Sequence, residues 1–258
     1  MNREQNQLNR RQFVGSLSAA TAAVSLATAT ATSHAEETKA KGKVPSRQEG
    51  HEQLPLIAGE KFEELEFAAF TGLMSWVRAA GKGKLPPVDV VVAGFDHEIT
   101  GFGSMHIRPE MLAQDLGDED LDEFDAVGIP AALSREGVDQ LRSQRTHDIV
   151  RKIHANGGVI ATMCDGIAAV PKDIRGKTCQ YWARGKAGRP NGEQHAPIVV
   201  DNRIMTTAGQ AVAVPAVVVL LELLFGEEQT KEFTSGCACM FGFHQEFVQR
   251  VSVFRTGA

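Results

Sequence analysis

Short, almost wholly apolar runs separated by helical patterns are what most restricts how this chain can fold. Residues 88–93 read Val-Asp-Val-Val-Val-Ala between Pro86-Pro87 and Gly94, and residues 159–163 read Val-Ile-Ala-Thr-Met before Cys164. Runs of this length, rich in β-branched residues, are strands. A strand apolar on both sides belongs in a sheet covered on both faces. The same reading predicts strands at 54–58, 104–107, 125–129, 177–182, 198–200 and 204–207. Residues 62–80 are amphipathic and stopped by Gly81. Val138, Leu141, Ile149, Val150 and Ile153 fall close to helical spacing as one long helix ending at Asn156-Gly157-Gly158, and 213–225 is an apolar helix. This alternation predicts an α/β fold with a mostly parallel sheet, whose sites form beyond the carboxyl ends of the strands.

Cys164 stands at such an end. Residues 159–170 read V-I-A-T-M-C-D-G-I-A-A-V: an apolar run that stops at a thiol, a glycine two residues on, then a small-residue segment. This pattern predicts a strand turning sharply into a helix. Backbone N–H groups converging at a helix N-terminus favour thiolate over thiol. The residues equally suit a small, buried, inert cysteine, and spacing alone leaves both readings open.

The first 35 residues read as an address. Asn9-Arg10-Arg11-Gln12-Phe13-Val14 places Arg10 and Arg11 before a weakly apolar stretch that closes on Ser33-His34-Ala35. This resembles a bacterial twin-arginine export signal, which implies removal of 1–35 and a periplasmic or otherwise extracytoplasmic destination. The remaining 223 residues fit one domain with a proper core. Loss of Arg3, Arg10 and Arg11 against Glu4 takes the formal charge from −5 to −7. An acidic surface without basic blocks argues against nucleic acid and anionic membranes as partners. The apolar run 211–225 contains Pro215 and Glu222 and is too short to span a bilayer, so no membrane anchor is expected after processing. Residues 36–52, charged and polar with Pro45, read as a flexible linker.

Four cysteines are too few for a disulfide scaffold in a domain this large, although an oxidising compartment leaves open a pairing among Cys179, Cys237 and Cys239. Cys237-Ala238-Cys239 with His244 lacks zinc-finger spacing and a second ligand pair, so no metal is expected.

Six motifs then carry a resemblance. They are Glu63-Glu64-Leu65-Glu66 after the first strand, Val91-Val92-Ala93-Gly94, and Phe124-Asp125-Ala126-Val127-Gly128-Ile129-Pro130. The cysteine elbow follows, then Ile174-Arg175-Gly176-Lys177-Thr178 with Tyr181-Trp182, and Val200-Asp201-Asn202-Arg203-Ile204-Met205-Thr206-Thr207-Ala208-Gly209. In this order they resemble the ThiJ/PfpI superfamily, whose fold is that of the class I glutamine amidotransferases. The resemblance implies a flavodoxin-like three-layer sandwich over 53–231 followed by an extension, 232–258. It also implies a homodimer, a cysteine nucleophile and no required cofactor. Members include glyoxalases that use neither metal nor glutathione, reported deglycases, isonitrile hydratases, intracellular peptidases and stress-related chaperones.

Carried over by position, Cys164 matches the nucleophile and Glu66 the acid near it. A carboxylic acid buried beside a thiolate has its pKa raised and can shuttle a proton to a carbonyl adduct. The backbone N–H groups near Ala132 and Asp165 match the oxyanion donors, and His195 is the nearest candidate for the third catalytic residue. Three departures stand out. Pro130-Ala131-Ala132 replaces the usual Pro-Gly-Gly, Asp165 replaces an uncharged residue or histidine, and His195 is out of register with Asp201. The missing histidine beside the nucleophile ranks a peptidase last. The leading expectation is an enzyme acting on a small electrophilic carbonyl such as an α-oxoaldehyde, through a hemithioacetal. Its alternative is a non-catalytic, oxidation-sensing or stress-protective protein. The remaining expectations are bland. Glu63 and Glu64 are solvated helix-start carboxylates, and His147 and His154 face solvent. His97 lies near the site edge, Trp76 and Trp182 pack, and 184–191 is a surface loop. The tail, with Val253 and Phe254, adds an edge strand or a dimer contact.

Overall fold

The computed structural model describes residues 44–80, 84–179, 196–236 and 253–256. In chain order the elements are β1 (Glu52–Ala58), α1 (Glu64–Ala80), β2 (Val88–Gly94), β3 (Ile99–Thr100), β4 (His106–Ile107), β5 (Met111–Leu112) and α2 (Asp118–Leu121). Then follow β6 (Ala126–Ile129), α3 (Arg135–Leu141), α4 (Gln144–Ala155), β7 (Val159–Met163) and a 3-10 helix at Cys164–Ala169. The described part closes with β8 (Ile198–Asp201), β9 (Ile204–Thr207), α5 (Ala213–Phe225), α6 (Glu227–Gly236) and β10 (Val253–Thr256).

Eight strands form one sheet in the order β10-β8-β9-β7-β6-β1-β2-β5. All neighbouring pairs run parallel except β8 and β9. That hairpin turns through Asn202 and Arg203, both at positive φ, as a two-residue turn matching strand twist requires. The strands alternate their apolar side chains between two cores. Leu54, Leu56 and Ala58 of β1, with Val159, Ala161 and Met163 of β7, pack with Phe70, Met74, Val217 and Leu220 of α1 and α5. Ile57 and Ile160 point the other way, toward Leu141, Ile149 and Ile153 of α3 and α4. This is the mostly parallel α/β sandwich expected from the alternation. Among the described residues no helix is long and apolar enough to cross a membrane.

Local departures have identifiable causes. The long helix expected around 138–153 is two helices, because Ser143 caps the second by accepting the Thr146 N–H at 3.2 Å, as Ser134 caps the first through Gly137 N–H at 2.9 Å. The strand expected at 104–107 is the short antiparallel pair β3–β4. Of the strand expected at 177–182, the described part forms no regular strand. Trp76 is 44% exposed on α1 rather than packed. The end of the segment read as a linker lies against the domain: Val44 is buried, and Gln53 Nε2 donates to Pro45 O at 3.1 Å. The tail supplies an edge strand, β10, parallel to β8, with Lys177 Nζ 5.3 Å above the Phe254 ring.

Candidate active site at the end of the seventh strand

The chain leaves β7 through Cys164 at φ +47°. A residue with a β-carbon in the left-handed region costs about 1 kcal/mol or more, so the surroundings must hold it there. Gly166 shows how. A β-carbon at that position would lie 2.5 Å from Ile129 O, so only glycine lets the turn tuck against the end of β6. The segment that follows is a six-residue 3-10 helix rather than the expected α-helix. Its carbonyls are gripped from outside. Arg175 donates to Ile167 O at 3.0 Å and to Val170 O at 3.2 Å, and His147 Nε2 donates to Ala168 O at 3.1 Å. His147 is therefore a brace rather than a solvent-facing side chain. His154 is likewise engaged, with Nε2 2.9 Å from Asn202 O.

Glu66 lies in the first turn of α1 and is wholly buried. Its Oε2 accepts the Ala131 N–H at 2.7 Å, while Oε1 has no hydrogen-bond partner among the described residues. The neighbouring carboxylates are not solvated as expected. Glu63 accepts the Glu66 N–H at 2.8 Å and so caps α1, and Glu64 accepts from Gly103 at 2.8 Å and Met105 at 3.2 Å. Gly209, at φ +123° after β9, marks where acid and sulfur meet. A β-carbon there would lie 3.5 Å from Glu66 Oε1, 3.5 Å from Cys164 Cβ and 3.7 Å from Cys164 Sγ. Gly209 closes the motif Thr206-Thr207-Ala208-Gly209 and is a site residue that the sequence marks only as a glycine shortly before the apolar helix α5.

Burial is the main force on both groups. It pushes the Glu66 carboxyl up to about 7, against the Ala131 N–H and with help from the charges of Glu63 and Asp165. It pushes the Cys164 thiol up to about 11, aided by the charges of Glu66 and Asp165 and opposed by the Asp165 N–H. Of the two forms that the sequence left open, the thiol is therefore the resting one. A six-residue 3-10 helix supplies too little field to outweigh desolvation and two acids.

Ala132 forms an isolated antiparallel bridge with Phe62, whose two hydrogen bonds are made by flanking residues: Glu63 N–H to Ala131 O at 2.9 Å and Leu133 N–H to Lys61 O at 2.8 Å. The Ala132 N–H therefore points away from the bridge. Asp165 is exposed, and its N–H is directed at the sulfur itself. His97 is also exposed, its N–H held by the Asp96 carboxylate at 2.7 Å. Cys179 is buried, with its N–H donating to Thr206 Oγ1 at 2.8 Å. His195 lies outside the described residues, as do Arg10, Arg11, Tyr181, Trp182, Cys237, Cys239, His244 and the 184–191 loop.

No family model and no curated protein matches the sequence. Solved structures do. The oxidized DJ-1 of Toxoplasma gondii is 20% identical with a TM-score of 0.57, covering 71% of this chain and 96% of its own. DJ-1beta of Drosophila melanogaster is 22% identical at 0.57, covering 72% and 97%. The fold is that of the DJ-1 proteins. A cysteine-to-alanine mutant of a DJ-1 superfamily protein from Salmonella typhimurium matches it at 18% identity and 0.55, covering 71% and 96%. This chain also matches an AraC family transcriptional regulator from Pseudomonas putida, at 14% identity and 0.53. The fold alone therefore does not select a chemistry.

Proposed function

We propose that this chain is a cysteine-dependent enzyme of the ThiJ/PfpI type acting on a small electrophilic carbonyl, an α-oxoaldehyde above all. The observation that carries the reading is the wholly buried Glu66, one oxygen unpartnered among the described residues, beside the strained Cys164 across Gly209. A carboxyl group near 7 is matched to proton transfer at neutral pH. In its ionised form Glu66 takes the Cys164 thiol proton as sulfur attacks the aldehyde carbon. A carbon–sulfur bond forms, the carbonyl π-pair goes to oxygen, and Glu66 returns the proton there to give the hemithioacetal. The Ala132 N–H, turned off its bridge, would steady the oxyanion, while the Asp165 N–H steadies the sulfur. Transfer of the carbon-bound proton to the neighbouring carbonyl carbon, through an enediol, gives a thioester. Water then releases a 2-hydroxy acid and restores the thiol. The sequence calls on no cofactor.

The same reading carries export through Arg10 and Arg11 to an extracytoplasmic compartment, and a homodimeric state. Methylglyoxal turnover by wild-type and Cys164→Ala protein tests the chemistry. Turnover lost in the variant supports it; equal rates in the two, or none in either, refutes it. The oxidation-sensing alternative ranks lower, because it is the thiolate that attacks peroxide and this sulfur rests as thiol. Added oxygen on the Cys164 peptide after mild peroxide, with no turnover, would move the reading there.

A further inference from the structure

A cleft of about 820 Å3 is lined by residues of α3 and α4, by the 3-10 helix that begins at Cys164 and by the segment after it. Its apolar lining is Val138, Ile167 and Val170, and its cationic lining is Arg142, Lys172 and Arg175. Arg175 is half-buried, its guanidinium engaged with carbonyls only, and burial together with the charge of Arg142 pushes its pKa down. Two like charges are thus held against one cleft. Among the described residues no carboxylate pairs with any of the three cations, and the neighbouring Asp173 is taken by Arg151 at 2.9 Å. His147, also in the lining, has Nε2 bound to Ala168 O.

The sign of this cleft is opposite to that of the protein, whose formal charge is −5. A concave site with three cations against one acid, Asp165, within a body of net negative charge concentrates anions. Arg175, half-buried and without a carboxylate among the described residues, also gains most from an anion that replaces lost water. Bare inorganic ions would leave the apolar lining unused, whereas the volume falls in the range of sites for metabolite-sized molecules, roughly 300–1,000 Å3. We infer that this cleft binds a small organic anion, its phosphate or carboxylate between Arg142, Lys172 and Arg175 and its apolar body on Val138, Ile167 and Val170. Asp165, the one acid in the lining, repels the anionic head and leaves it the three cations.

Calorimetric titration of the full chain with phenyl phosphate, phenylacetate and neutral benzyl alcohol tests this. Saturable binding of either anion, and none of the alcohol, is expected; which anion binds more tightly identifies the head group. The double charge reversal Arg142→Glu/Lys172→Glu changes two exposed side chains and should weaken binding by about tenfold or more. Arg142→Gln/Lys172→Gln serves where the reversal unfolds. Cys164→Ser should bind as wild type does, so the result is independent of turnover. Absence of binding by both anions, equal binding of the alcohol, or undiminished affinity in the variants would overturn the site.

Discussion

Glu52 and Glu66 are both pushed up to about 7, and they mean different things. Glu52 opens β1 at the amino edge of the sheet. Its shift comes from burial and from Asp125, but Arg47 reaches both acids, at 3.3 and 3.2 Å. The same edge holds His51 and Arg78 on Asp89. Each acid there has a cation, and the cluster ties the chain before β1 to β6. Glu66 lies at the opposite, carboxyl edge with, among the described residues, no cation and one oxygen unpartnered, and a strained cysteine beside it. A displaced pKa marks a functional site only where geometry leaves the group something to do.

The widest gap between the two acids should appear in turnover. Glu66→Gln is expected to cut methylglyoxal turnover by about a hundredfold or more, because Gln cannot exchange the proton, while Glu52→Gln leaves it unchanged. Equal losses would erase the distinction.

Stability against pH sharpens it. The folded pKa of Glu66 lies above its ordinary value of 4.5, so its contribution is fully present below that value and lost as pH rises through about 7. By linkage, the wild type should lose up to roughly 3 kcal/mol over this window relative to Glu66→Gln, read from urea unfolding at a series of pH values. Glu52→Gln should remove a smaller loss of the same sign, since Glu52 is less buried and paired.

Backbone packing gives the next effect. Gly166→Ala forces a β-carbon against Ile129 O and should cost about 2 kcal/mol in urea unfolding. At the amino edge Arg47→Ala should cost only about 0.5 kcal/mol, and that small cost should vanish at high salt, because this ion cluster is half-exposed. A Gly166→Ala protein as stable as wild type would show that the elbow does not need its tight seat.

Much of this was legible in the residues. β2 and β7 are almost wholly apolar runs and α5 is apolar but for Glu222, so the sheet and its covering followed from composition and spacing. The pairing of Cys164 with Glu66 rested on motif order across about a hundred residues, not on any local pattern. What stayed hidden is tertiary. The break between α3 and α4 depends on one serine cap inside an amphipathic pattern, and two-residue strands carry no period. The tasks of Glu63 and Glu64 depend on partners that folding brings to them. The resting form of Cys164 depends on burial, which no spacing rule reports, and Gly209 became a site residue only when β9 was laid beside β7.

The central claim is that Cys164 rests as a thiol beside Glu66, which takes its proton only on attack. Thiolate ultraviolet absorbance, followed against pH as the difference between wild type and Cys164→Ser, tests it most directly. A midpoint near 11 is expected, moving down in Glu66→Gln as one opposing charge is removed. A Cys164 thiolate already formed at neutral pH, or a midpoint unmoved in Glu66→Gln, would contradict the account.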